Sequence, residues 1–102
     1  MQFEWDEVKN AANIRKHGID FEDVIDIFNH PMMTLQDTQE SYGESRWLAI
    51  GWIQTVLGVV VYTERVGDVI RIISARKATK SEVRRYEQYF KNWLEALVHN
   101  ER

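Results

Sequence analysis

Positive charge is concentrated in residues 70–85, IRIISARKATKSEVRR, which hold six basic side chains and one acidic side chain. The segment begins as an apolar strand pattern and continues as a helix pattern, so the charge lies at a strand-to-helix junction. Arginine can hold a phosphate through two hydrogen bonds, and a helix N-terminus also attracts anions. Arg76, with Lys77, Lys80 and Arg84 around it, therefore predicts an anion-binding patch. The alternatives are a chance surface cluster and pairing of Arg76 with a carboxylate of the N-terminal helices.

Three further side chains could carry out chemistry together. Side chains alternate across a strand, and the hairpin spacing places Tyr62, Glu64 and Arg71 on one face of the predicted sheet. Arg71 could then stabilise the negative charge of a phosphorane while Glu64 or Tyr62 moves a proton. The alternative is a Glu64–Arg71 ion pair on a solvated face. A β-bulge would change the alternation and separate these residues.

His17 is a reserve candidate for the acid or base, because histidine is the residue type suited to proton transfer near neutral pH. The alternative is a cation that stabilises the C-terminus of the first predicted helix. The chain has three scattered histidines and no cysteine. This pattern predicts neither a metal site nor a bound cofactor.

Periodicity defines the elements that must position these residues. Asp6 and Asp20 are candidate N-caps, Gly18 ends the first helix, and Thr79 with Glu82 fits a capping box before a long C-terminal helix. Apolar residues have helical spacing in two early segments and a period of two in the later ones. The predicted helices cover 7–16 and 21–28, and the predicted strands cover 2–5, 33–37, 46–53, 56–64 and 69–76.

The predicted order is β-α-α-β-β-β-β-α, an α+β fold with helices packed on a mainly antiparallel sheet. Two-residue turns at 54–55 and at 66–67 or 67–68 would give this sheet two faces. The face that carries Tyr62 also carries small residues, including Ala49 and Gly51, and is predicted to be a shallow open floor. The opposite face carries the residues predicted to form the core: Leu48, Ile50, Trp52, Leu57, Val59, Val61, Ile70 and Ile72. The long helix is expected to present one apolar face, formed by Val83, Tyr86, Phe90, Trp93 or Leu94, and Leu97.

Length and composition predict one domain, 1–102, in a soluble cytoplasmic protein with no membrane span. The charge is unevenly distributed: residues 1–45 hold three Lys or Arg against ten Asp or Glu, a net charge of −7, and residues 46–102 hold ten against six, a net charge of +4. Such asymmetry suggests a polyanionic partner for the basic part and a basic protein for the acidic part. The alternative is that both are solvated faces.

Several blocks taken together resemble the BrnT family. The opening FEWDEVKNAANIRKHGIDFEDVIDIFNHP has the family's aromatic-Trp-Asp start, followed by Lys9, Asn13 and the KHG motif. The segment YGESRWLAIG is similar to its Gly-Glu-x-Arg block, and VVVYTE followed by IRIISARKATKSEVRRY is similar to its strongest block. The resemblance extends to Tyr86 in the same order and spacing.

This resemblance implies a RelE-like fold and a toxin of a type II toxin–antitoxin system that inhibits translation by cutting RNA. It implies metal-free cleavage, in which the 2′-hydroxyl attacks the adjacent phosphate and leaves a 2′,3′-cyclic phosphate and a 5′-hydroxyl. It also implies neutralisation by a BrnA-type ribbon-helix-helix antitoxin, with promoter DNA bound only through the toxin–antitoxin complex. The competing interpretation is a non-catalytic nucleic-acid or protein-binding module that uses the basic patch around Arg76.

The resemblance also assigns roles to individual residues. Arg71 and Arg76 are expected to stabilise the phosphate and the transition state, and His17 lies on a motif position as the reserve acid or base. Glu64, the candidate base, and Tyr62, a supporting contact, rest mainly on the face argument. The expected RNA contacts are Arg46, Tyr62, Lys77, Lys80 and Arg84.

Overall fold

A computed structural model describes residues 1–37 and 44–100, without the side chain of Asn100. It has the predicted α+β class, with three α-helices and a five-stranded sheet. The elements in chain order are β1 Gln2–Glu4, α1 Glu7–His17, α2 Phe21–Val24, a 3₁₀ helix Ile25–Asn29, β2 Met33–Asp37, β3 Arg46–Ile53, β4 Val56–Arg65, β5 Val69–Lys77 and α3 Lys80–Asn100. No helix in the described part of the chain is both long enough and apolar enough to cross a membrane.

The N-terminal helices begin and end where the capping residues predict. The Asp6 carboxylate accepts hydrogen bonds from the backbone N–H groups of residues 8 and 9, and Gly18 ends α1 with φ of 72°. Such a left-handed conformation favours glycine. The second helix differs from the prediction, because the observed α-helix ends at Val24 and the chain continues as the tighter 3₁₀ helix. Tightening of this kind is common near helix ends.

The strands are ordered β1-β5-β4-β3-β2, with β1 parallel to β5 and every other pair antiparallel. Ile53 pairs with Val56, so the predicted two-residue turn at 54–55 is confirmed. The next turn is longer than predicted. Arg65 pairs with Val69, which leaves three residues in the loop, and Gly67 and Asp68 both have positive φ.

The helices pack on the face of the sheet that alternation predicted to be open, so this prediction is wrong. We call it the α1 face, since α1, α2 and the 3₁₀ helix cover it. Its small residues make room for the helices: a Cβ on Gly51 would lie 2.9 Å from Cγ1 of Ile27 in the 3₁₀ helix. The main core on this face consists of Ile19, Phe21, Val24, Ile27, Ala49, Ile53, Val60, Tyr62, Ile70, Ile72 and Ala75.

The opposite face, which we call the α3 face, is only partly covered. Met33, Ile50 and Val59 form a second, smaller cluster there, against which Tyr86 of α3 packs. The Tyr86 hydroxyl donates a hydrogen bond to the backbone carbonyl of Pro31 at 3.1 Å. Most of α3 beyond this point extends away from the sheet, and the molecule is accordingly elongated, 51 × 29 × 26 Å.

Candidate active site

A β-bulge in β5 determines which side chains share a face. Val61 of β4 pairs with Ser74 of β5, but Tyr62 pairs with Ile72, so Ile73 is an additional residue in β5. Before the bulge, Arg71 pairs with Thr63, which points to the α3 face. After the bulge, Ser74 pairs with Val61 and Arg76 pairs with Val59, and both of these β4 residues also belong to the α3 face. Arg71 and Arg76 therefore both lie on the α3 face, and Ser74 lies between them in the strand, directly after the bulge.

The bulge separates the predicted cluster of Tyr62, Glu64 and Arg71. Tyr62 and Glu64 pair with Ile72 and Ile70 and belong to the α1 face, whereas Arg71 belongs to the α3 face. Tyr62 is 4% exposed and packs edge-on against Phe28, with ring centroids 5.2 Å apart. Burial, and secondarily the charge of Glu64, raise the pKa of the Tyr62 hydroxyl. Tyr62 is thus a core residue. The prediction that it shares a face with Arg71 is wrong, and its burial argues against the expected RNA contact.

Arg71 and Arg46 lie in the part of the α3 face that α3 leaves uncovered. Arg71 forms an ion pair with Glu4, its partner residue on β1, and its side chain is 30% exposed. Arg46 belongs to the same face, two residues before Leu48, and its side chain is 17% exposed. Its guanidinium lies 3.7 Å from the Glu44 carboxylate. Both arginines are thus held in place by carboxylates at the sheet surface.

Arg76 of β5 is paired with Glu82 in the first turn of α3, not with a carboxylate of the N-terminal helices. Two hydrogen bonds of 2.7 and 2.8 Å join the guanidinium to this carboxylate. Hydrogen bonding from Arg76 is the largest cause of the fall in the Glu82 pKa from 4.5 to about 2. The same pairing raises the pKa of Arg76.

Glu82 also completes the predicted capping box. Its carboxylate accepts the Thr79 backbone N–H at 2.8 Å, and its own N–H donates to the Thr79 hydroxyl at 3.2 Å. The capping box is therefore confirmed, and the N-terminus of α3 has a carboxylate of its own. Lys77, Lys80 and Arg84 are exposed around it, so they form a solvated basic surface.

The structure places His17 beside β5, in a cavity of about 220 Å³ between α1 and the bulge. Asn13 holds α1 against the strand: its side-chain oxygen accepts the backbone N–H of Ala75 at 3.1 Å, and its amide donates to the carbonyl of Ile19 at 2.9 Å. Helical spacing then brings His17 and two lysines to the same side of α1 as Asn13. The lining residues are Lys9, Ala12, Asn13, Lys16, His17, Ile73 and Ser74.

One wall of this cavity is formed by α1 with His17, and the other by β5, the strand that carries Arg71 and Arg76. Ser74 lines the cavity and lies between Arg71 and Arg76 in β5. The cavity is thus lined by a histidine, a serine and two lysines, residue types able to bind an anion and transfer a proton. Ser74, Lys9 and Lys16 are not among the site residues predicted from the sequence. The polar Ser74 in an otherwise apolar part of β5, together with the spacing of Lys9, Lys16 and His17, was the signal available.

Comparison with known proteins identifies the family. Residues 5–82 match the family described as the ribonuclease toxin, BrnT, of type II toxin–antitoxin systems. This chain belongs to the BrnT family. A crystal structure of the Brucella abortus ribonuclease toxin BrnT has 29% sequence identity to it, with a TM-score of 0.64, and the match covers 78% of this chain and 99% of that chain. The search of curated proteins found no match.

The BrnT match includes all the residues that line the cavity, and it includes both arginines of β5. Among the predicted site residues, Arg84 alone lies outside it. The match ends at Glu82, near the start of α3, so most of this helix lies beyond the region that matches the BrnT family. Within residues 1–37 and 44–100, no group of histidine and acidic residues could hold a metal ion.

Proposed function

We propose that this BrnT-family toxin is an endoribonuclease whose active site is the cavity between α1 and the bulge of β5. The observation that carries the proposal is that His17 and Ser74 line the same cavity. Ser74 lies between the two arginines of β5 in the sequence of that strand. Family membership supports ribonuclease activity and a role as a toxin. Cleavage of RNA would then inhibit translation.

In the proposed complex, an RNA phosphate occupies the cavity, and the backbone follows β5. Lys9 and Lys16 supply positive charge, and the Ser74 hydroxyl can donate to a phosphate oxygen. At about 3.3 Å per residue, Arg71 and Arg76 begin roughly 10 and 7 Å along the strand from Ser74. In the described part of the chain β1 pairs with β5 only at residues 69–71, so the rest of β5 is an edge of the sheet. Around this edge, long arginine side chains of the α3 face can reach the same phosphate or a neighbouring one as they exchange or share their carboxylate partners.

His17 is the proposed proton-transfer group in place of Glu64, because His17 lines the cavity and Glu64 does not. The imidazole accepts the proton of the 2′-hydroxyl as the 2′-oxygen forms its bond to phosphorus. The bond from phosphorus to the 5′-oxygen then breaks, and the protonated imidazole returns a proton to that oxygen. The products are a 2′,3′-cyclic phosphate and a 5′-hydroxyl, and the cationic side chains stabilise the phosphorane charge.

A BrnA-type ribbon-helix-helix antitoxin is the proposed neutralising partner, with promoter DNA bound only through the complex. Membership of a type II toxin–antitoxin family supports an antitoxin in general. The net charge of −7 in residues 1–45 would favour a basic antitoxin. Association rates measured over a salt series test this point, since a rate that does not change with ionic strength would contradict electrostatic attraction.

A non-catalytic binding module is the second candidate, because the two arginines of β5 are already paired with Glu4 and Glu82. The two proposals differ in the fate of the RNA. Purified protein is incubated with RNA and a chelator, and the fragments are tested for 5′-hydroxyl and cyclic phosphate ends. The endoribonuclease proposal requires both ends, whereas a binding module leaves the RNA intact.

His17→Ala locates the activity. We expect cleavage to fall by about 100-fold or more, the usual effect of removing a proton-transfer group. His99→Ala is the matched control, since it removes an exposed histidine of α3 far along the chain from the cavity. Circular dichroism should be unchanged in both variants. Equal cleavage by the His17 variant and the wild type would show that the cavity is not the active site.

A further inference from the structure

The second half of α3 presents an apolar stripe that the other elements described by the structure leave uncovered. The exposed fractions are 43% for Tyr89, 50% for Trp93, 55% for Leu94, 42% for Leu97 and 62% for Val98. Large apolar residues in a continuous patch mark interaction sites, whereas single exposed ones are ordinary. The stripe lies beyond residue 82, where the match to the BrnT family ends. The shared part of the family therefore does not explain it.

Aromatic contacts within α3 make the stripe a continuous surface. Phe90, which is half-buried, packs against Tyr89 and Trp93 with ring centroids 5.0 and 6.2 Å apart. On the other side it packs against Tyr86, at 4.7 Å, which reaches the second core cluster. The stripe is thus an outward extension of the apolar cluster on the α3 face.

We infer that two copies of this chain pair through their α3 stripes, with the helices antiparallel. The stripe residues are arranged symmetrically about the midpoint between Trp93 and Leu94. In an antiparallel pair, Trp93 of each copy meets Leu94 of the other. The outer layers bring together positions 90 and 97, and positions 89 and 98, so every layer pairs two apolar residues. A twofold interface requires this kind of self-complementarity.

Charge and area favour a second copy over a strongly charged partner. Residues 89–98 contain one base, Lys91, and one acid, Glu95, so two copies would not repel each other. With roughly 150–250 Å² for a large side chain, the exposed fractions amount to roughly 500 Å² of stripe per copy. Two copies would bury roughly 1,000 Å² in total, which is near the lower bound for a specific interface. We therefore expect a weak dimer.

Sedimentation equilibrium of the full chain tests the inference. We expect the mass to rise with concentration towards twice the 12.1 kDa of one chain. Trp93→Glu should weaken pairing by about 100-fold, as expected for a central aromatic residue. Val66→Glu is the matched control, since Val66 is fully exposed in the β4–β5 loop. It should leave pairing unchanged. A chain that stays monomeric into the high micromolar range, or a dimer that Trp93→Glu does not affect, would overturn the inference.

Cysteine crosslinking tests the antiparallel arrangement, because the chain has no cysteine of its own. Leu94→Cys lies next to the twofold axis and should form a disulfide between copies under oxidising conditions. Val98→Cys should not, because position 98 lies opposite position 89, nine residues or about 13 Å along the helix from its own counterpart. Efficient crosslinking of both variants would indicate parallel helices and contradict the proposal.

Hydrogen exchange distinguishes a second copy from the antitoxin as the occupant of the stripe. We expect protection of residues 89–98 in the chain alone as its concentration increases. Protection that appears only after antitoxin is added would assign the stripe to the antitoxin and overturn the second-copy inference. None of these measurements depends on RNA cleavage, so they remain informative if the proposed catalytic site fails.

Discussion

The two faces of the sheet differ in how they are covered and in the residues they carry. On the α1 face, helices pack over small residues so closely that Gly51 has no room for a side chain. On the α3 face, one end of a single helix covers a cluster of three buried residues, and Arg46, Arg71 and Arg76 lie on the remainder or at its border. Close packing stabilises the centre of the first face, and the cavity lies at its margin, between α1 and β5. The second face has less buried apolar area and retains accessible cations.

The largest expected difference between the faces is in stability. Phe21 is fully buried against the α1 face. We expect Phe21→Ala to lower the free energy of unfolding by about 4 kcal/mol, because it removes a large buried ring and leaves a cavity. Leu57→Ala on the partly covered α3 face is the comparison. Its loss should be about 1–2 kcal/mol, since less of the side chain is removed from water. If denaturant unfolding shows equal losses of unfolding free energy in the two variants, the two faces contribute equally to stability.

The second expected difference is in activity. We expect Arg71→Ala to reduce RNA cleavage by about 100-fold through loss of phosphorane stabilisation. It should also relieve growth arrest on expression. Its effect on stability should be below about 1 kcal/mol, since the ion pair with Glu4 is partly solvated. Arg76→Ala should act in the same direction, with an added loss of stability from the unpaired Glu82.

Arg65→Ala is the matched control for Arg71→Ala. Arg65 is an exposed arginine that also forms an ion pair, with Glu44, but it lies at the end of β4. Cleavage rates are measured under single-turnover conditions for all variants. If the Arg65 variant loses as much activity as the Arg71 variant, general positive charge accounts for RNA binding and the specific role of Arg71 is wrong.

Features that depend on neighbouring residues and features that depend on the pairing of strands differ in how well the sequence predicts them. Local signals were sufficient for the caps at Asp6 and Gly18 and for the capping box of Thr79 and Glu82, because each depends on a few neighbouring residues. The cavity needed information that no local pattern contains. Ile73 lies in an apolar run that gives no sign of a bulge, yet this one residue moves Arg71 to the opposite face from Glu64.

The choice of face by the helices was also beyond sequence patterning. Both faces carry apolar residues, so hydrophobicity alone does not distinguish them. Small residues such as Gly51 predict an open floor, although the same feature allows a helix to approach closely. The apolar stripe of α3 was expected, but periodicity does not show whether a stripe is covered by its own chain. Of this stripe, Tyr86 packs on the second core cluster, whereas Trp93 and Leu97 stay exposed.

The smallest expected effect concerns Arg76 and Glu82, where the α3 face meets the start of the helix. The pKa of Glu82 is about 2 in the folded chain and 4.5 ordinarily. A lowered folded-state pKa contributes stability that is complete above about pH 4.5 and is lost as the pH falls towards 2.

Glutamine can still serve in a capping box, so Glu82→Gln removes the charge while the cap remains. Because the Arg76 side chain is 40% exposed and solvent screens the pair, we expect a loss of about 1–2 kcal/mol at pH 7. The difference from wild type should shrink on acidification below pH 4.5, as measured by denaturant unfolding at several pH values. Glu87→Gln, an exposed glutamate in the next turns of α3, is the control and should show little change. A Glu82→Gln loss that stays constant down to pH 2 would contradict stabilisation by the ionised pair and would indicate that packing holds Arg76 in place.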